Sequence, residues 1–272
     1  MARVRVFGVV VAMLLVAMPT LSRAMEMRPR VMSLDSCADQ YVLALAPRSS
    51  IVGLSHRAGA SDSYMRAAAR DLPRRRASVE GLVSARPDVV VRLWGGDARL
   101  VAALDRRGVR TVALDDAPDF PGVRANIRRV AVALDRQAAG EALIARMDAQ
   151  LAAARGRGTG TRALYLTPSG FTAGSGTLID ALMTAAGLTN AARSPYYSPA
   201  PLEALVLHPP QAVVLGLFDR TRAGADRWGP GRHAALRRAV EDRTLASLPG
   251  AVVGCPAWFA AEASLTIARA AR

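Results

Sequence analysis

Leu143, Met147 and Leu151 recur every four residues among alanines, with Glu141, Arg146, Asp148 and Arg155 between them. That period predicts one amphipathic helix over 135–155. Asp135 is positioned to cap its start, and the run Arg155-Gly156-Arg157-Gly158 to end it. At ~1.5 Å per residue, about twenty residues make a rod of roughly 30 Å. Strand and helix signals alternate on both sides of the rod, and neither side continues the other. The rod therefore reads as a rigid connector between two α/β lobes, 25–134 and 156–272, with a cleft between them.

In the first lobe, strands are predicted over 30–34, 51–54, 88–93 and 111–114, and helices over 41–46, 79–85, 100–107 and 123–134. Pro87 stops a helix, and Gly95-Gly96 turn the chain after a β-branched strand. In the second lobe, strands are predicted over 162–166, 213–218 and 251–253, and helices over 177–186, 232–240 and 262–271. The glycine-rich segment 168–176 follows no Walker or dinucleotide pattern and reads as a flexible loop carrying the exposed Phe171. In open α/β sheets the loops after strand carboxyl ends line the ligand crevice. Cys37, His56, Arg57, Trp94, Phe171, Trp228, Trp258 and Phe259 fall in such loops. A lone His or Arg there is more often a surface hydrogen-bonder than a ligand, and a loop tryptophan is often a lid on the core.

An internal repeat supports the division into lobes. Glu80, Leu82, Val83, Pro87 and the valines 89–91 return as Glu203, Leu205, Val206, Pro210 and Ala212-Val213-Val214. Each lobe thus contains one helix-Pro-strand unit that opens on a glutamate.

Composition adds a compartment and a charge. Arg3 and Arg5 precede an apolar run over 6–18 and a small-residue site ending at Ala24, the arrangement of a cleaved secretory signal peptide. The mature chain is then expected to start at Met25 as a soluble protein of a Gram-negative periplasm. A formal charge of +14 favours anionic partners. The charge is scattered Arg, with no basic run longer than Arg74-Arg75-Arg76 and few aromatics, which argues against nucleic acid.

The segments Glu80-Gly81-Leu82-Val83 with Pro87-Asp88, Gly95-Gly96, Phe171-Thr172 with Gly174, Glu203 with Pro210-Gln211-Ala212, Trp228-Gly229 and Trp258-Phe259 resemble, in that order, a known family. It is the helical-backbone periplasmic substrate-binding proteins that serve ABC importers of iron chelates, haem and vitamin B12. The likeness spans essentially the whole mature chain. It implies two Rossmann-like α/β lobes with parallel sheets, joined by a single long helix and holding a metal chelate in the cleft. The chain is expected to be a monomer with no resident cofactor, since the chelate is cargo, and no side chain is singled out as a metal ligand. Phe171, Trp228 and Trp258 would line the cleft, and Glu80 and Glu203 would dock onto arginines of the dimeric permease. Where vitamin B12-binding members have aromatics, this chain has Arg57 and Arg74. That departure weighs a cobalamin or corrinoid cargo against an anionic one, a ferric siderophore or the carboxylates of haem.

A rival reading is an exported enzyme with Cys37 as nucleophile and His56 or His233 as base, although no recognisable nucleophile or metal motif surrounds them. An exported sensor or scaffold protein is another. Cys37 and Cys255 lie in crevice loops of opposite lobes, and an oxidising compartment permits a bridge between them; two buried thiols are the alternative.

Overall fold

The computed structural model describes residues 28–156, 160–220 and 240–271. The expected signal peptide, Trp228 and His233 lie outside them.

The first lobe is an all-parallel sheet of five strands in the order β3-β2-β1-β4-β5. These are β1 (Val31–Ser33), β2 (Ile51–Ser55), β3 (Arg74–Arg75), β4 (Val89–Arg92) and β5 (Arg110–Ala113). Around them lie α1 (Ser36–Leu45), α2 (Val79–Ala85), α3 (Ala98–Arg106) and α4 (Phe120–Ala133). The second lobe has a parallel sheet in the order β11-β10-β6-β8, from β6 (Arg162–Leu166), β8 (Thr189–Asn190), β10 (Ala212–Gly216) and β11 (Thr244–Leu248). Its helices are α6 (Leu178–Ala185), α7 (Leu202–Leu207), α8 (Gly250–Val253) and α9 (Ala260–Ala270). Between the lobes runs α5 (Gln137–Ala154), which packs against α4 and α9.

Strand alternation sorts the core into layers. In β4, Val89 and Val91 face the large central cluster while Val90 meets Leu82, Leu100 and Leu104 of α2 and α3. In β6 and β10, Tyr165 and Val214 face that same central cluster, and Leu164 and Val213 pack with Leu205 of α7 on the other face. A strand buried on both faces reads as a continuous apolar run, which is why 89–91 and 212–214 look alike in sequence. The repeat is thus a matched pair of units, α2–β4 and α7–β10, each at the heart of its lobe.

Several local expectations are corrected. Asp135 does not cap α5: it adopts φ 55° immediately after α4, with its own N–H on Val132 O and that of Arg136 on Ala131 O, so it closes α4 in the left-handed position. Helix α1 begins at Ser36, earlier than 41, because Asp35 accepts from the backbone N–H groups of Cys37 and Ala38. Residues 251–253 are helical in α8, opened by Pro249, and the strand of that region is β11. The segment predicted as a flexible loop holds β7 (Phe171–Ala173), paired antiparallel with β9 (Tyr197–Pro199).

Candidate functional site

On one side of the cleft, the two lobes are bonded together. Cys37 at the start of α1 and Cys255 before α9 form a disulfide, with Cα atoms 5.4 Å apart. Beside it, the Tyr41 hydroxyl donates to Pro256 O, Tyr64 stacks on Phe259 with ring centroids 4.3 Å apart, and the Tyr64 hydroxyl bonds Glu262. The Tyr64 phenol is pushed above its ordinary range, by desolvation first and then by the Glu262 carboxylate.

Beyond this tie the cleft opens as three recesses, all touching Gly254. A small one of about 70 Å³ holds Arg57 and Tyr64 opposite Gly250 and Ala251. A middle one of about 260 Å³ runs between Trp94 and Asp116 of the first lobe and Thr177, Ile179 and Tyr197 of the second. The widest, about 520 Å³, is walled by Tyr165, Phe171, Tyr197 and Leu217. Trp94, Asp116, Arg57 and Leu217 all follow the carboxyl ends of parallel strands, where an open α/β sheet places its ligands.

Trp94 is 64% exposed, and its presentation has a specific cause. One carboxylate oxygen of Asp35 caps α1, and the other accepts from the N–H groups of Leu93 (2.7 Å) and Gly95 (3.0 Å), clamping the tryptophan between them. Only glycine fits at 95, because a Cβ there would stand 2.5 Å from Leu34 O. Across the cleft, the paired strands β7 and β9 present Phe171 and Tyr197. Tyr196 beside them adopts φ 57°, held by backbone bonds to Ser175 and Gly174. The Tyr197 phenol lies above its ordinary range, chiefly through desolvation and secondarily through the Asp116 carboxylate across the middle recess. At neutral pH it is, like any ordinary tyrosine, a protonated hydrogen-bond donor.

The sequence-predicted site is only partly assembled here. Trp94 and Phe171 line the cleft, and Cys255 floors it above the disulfide to Cys37. Trp258 and Phe259, expected as an aromatic wall, are instead 8% and 1% exposed: Trp258 packs edge-on against Tyr41 and Phe259 within the central core. Arg57 reaches the small recess, but its guanidinium is 2.6 Å from Asp62, so its charge is partly matched by the protein. His56 is exposed in the loop after β2, and Arg74 lies on edge strand β3 with its guanidinium against Gly59. Tyr196, Tyr197, Asp116 and Asp35 were not singled out from the sequence. The repeated Ser-Pro around Tyr196-Tyr197 was the available signal, marking aromatics that a proline-bounded turn holds at the surface. Among the described residues no group of three His, Cys, Asp or Glu could hold a metal ion, and no helix is long and apolar enough to cross a membrane.

Glu80 and Glu203 are both exposed in the first turns of α2 and α7. The Glu80 carboxyl is held below its usual range by its own backbone N–H and then by the Ser78 hydroxyl. The repeat extends beyond the glutamates, since Leu82 and Leu205 are both buried and Val83 and Val206 both exposed.

Two α/β lobes joined by one helix, with an aromatic-lined cleft at the strand carboxyl ends, define a two-lobed ligand-binding protein. The family profile described as "Periplasmic binding protein" matches residues 31–223. The chain belongs to that family. Among solved structures, it is similar to the periplasmic haem-binding protein BhuT in complex with two haems, at 29% identity, TM-score 0.67, covering 90% of this chain and 99% of that one. It shares its fold with the haem-binding protein RhuT of Roseiflexus sp. RS-1 in apo form (24% identity, TM-score 0.67, 90% and 100% covered). It also shares it with the vitamin B12-binding protein BtuF of Vibrio cholerae (15%, 0.62, 90% and 96%). A search of curated proteins by sequence gives no match.

Proposed function

We propose that this chain is the periplasmic substrate-binding component of an ABC importer and that its cargo is a flat metal chelate, with haem favoured over a corrinoid or ferric siderophore. The observation that carries the reading is the placement of aromatics: of the four large exposed aromatics among the described residues, Trp94, Phe171 and Tyr197 line the recesses of the cleft, and Tyr196 lies beside Gly176 at the edge of the middle one. Rings on both walls of a slot suit a planar ligand by stacking. The cargo named for BhuT supports haem over the corrinoid named for the more distant BtuF. Trp94 and Phe171 would grip the two faces of the macrocycle, and the Tyr197 phenol would donate to an acceptor at its edge. The chelate is cargo, not a resident cofactor.

Catalysis by Cys37 does not fit this reading, because its sulfur is bonded to Cys255. Export would follow cleavage after Ala24, and the loaded protein would present Glu80 and Glu203 to a two-subunit permease. Parallel titrations with hemin, aquocobalamin and a ferric hydroxamate siderophore, followed by absorbance and tryptophan quenching, test the cargo. Saturable binding of hemin at the lowest concentration is expected. Tighter binding of cobalamin or the siderophore would replace haem by that chelate, and no binding of any of the three would overturn the reading.

A further inference from the structure

The β7–β9 ribbon has two faces, and only one belongs to the cleft. Phe171 and Tyr197 line the cleft, whereas Thr172 and Ser198, which pair directly in register, line a second cavity behind the ribbon. This cavity, about 630 Å³, lies on the outer face of the second sheet between Leu164 of β6 and Leu205 of α7. Its size falls within the roughly 300–1,000 Å³ of small-molecule sites.

Its chemistry is lopsided. The walls are largely apolar, from leucines, alanines and prolines, while Arg162, Arg193 and His208 supply the charge-bearing groups, and no acidic side chain lines it among the described residues. Neither Arg162 nor Arg193 forms an ion pair with another of the described residues. Apolar walls and two guanidinium groups together select a ligand with a hydrocarbon body and one anionic oxygen group.

We propose that this cavity is a second binding site, separate from the cleft, for a small amphipathic carboxylate. The carboxylate is held by Arg162 and Arg193. Because the cavity is bounded by α7 and by the ribbon that carries Phe171 and Tyr197, an occupant braces both elements.

Decanoate and its uncharged counterpart 1-decanol serve as probes in calorimetric titrations of the intact exported protein without chelate. One decanoate per chain is expected, with 1-decanol at least tenfold weaker. Arg193→Ala, in an exposed loop, should weaken decanoate tenfold or more. Ala192→Trp should abolish binding by filling the space, with an unchanged circular dichroism spectrum. Absence of saturable binding, equal affinity for 1-decanol, or a decanoate site indifferent to both Arg193→Ala and Ala192→Trp would overturn the proposal.

Discussion

Two neighbouring carboxylates near the start of α1 have opposite roles. Asp35 spends both oxygens on backbone donors, two in α1 and two flanking Trp94. Asp35→Ala is expected to lower stability by about 1–2 kcal/mol, the upper range for a lost helix cap, and also to weaken ligand binding because Trp94 loses its clamp. Thermal melts and a binding titration check the two effects; loss of stability with unchanged affinity would remove the positioning role. Asp39 is fully buried and accepts from Ser33 and from the hydroxyl and N–H of Ser55. Desolvation nevertheless dominates and raises its carboxyl, with Asp35 adding to the rise. A carboxyl raised in the native state favours folding below its unfolded value of about 3.9, and that contribution is lost as pH rises through the native value. Between acid and neutral pH, wild type should therefore gain stability relative to Asp39→Asn as the solution is acidified. Parallel Tm profiles would show this, and a pH-independent difference would contradict it.

Among the elements, α2 and α7 carry the most specific claim. Each opens on an exposed glutamate and exposes a valine one residue after a buried leucine, so the two helices present the same small charged and apolar patch. Combined Glu80→Arg and Glu203→Arg should abolish chelate uptake in cells while purified protein keeps its affinity, because rim charges steer encounter and fix register. Val83→Asp with Val206→Asp should reduce uptake in the same way. Uptake at the wild-type rate in the glutamate variant would leave those residues only their part in favouring helix starts. These helices were legible in the sequence because Pro87 and Pro210 mark the ends of both units and the apolar runs that follow are too continuous for anything but buried parallel strands. The short strands β3, β8 and β9 were not legible. Two or three residues cannot show a period, and Arg74-Arg75 is a strand only because it pairs with Leu54-Ser55.

For the molecule as a whole, alternating strand and helix signals on either side of one long amphipathic segment were enough to predict two lobes and a cleft. The cleft's contents were harder to read. Trp94, Phe171 and Trp258 give the same local signal, an aromatic after or between elements. Trp258 is nevertheless core, because Tyr41 and the Cys37–Cys255 bond draw the opposite end of the chain onto it. Tertiary contacts of that range leave no trace in local spacing. The resulting architecture ties the lobes on one side and on the other leaves Trp94 facing Tyr197 across the middle recess, with Phe171 walling the wider recess beside it. Affinity for hemin of Trp94→Ala against wild type is the measurement closest to that claim. A stacked ring at the centre of the site is worth about 1–3 kcal/mol, so the account predicts binding weakened by about tenfold or more with the fold intact, whereas wild-type affinity in the variant would contradict it.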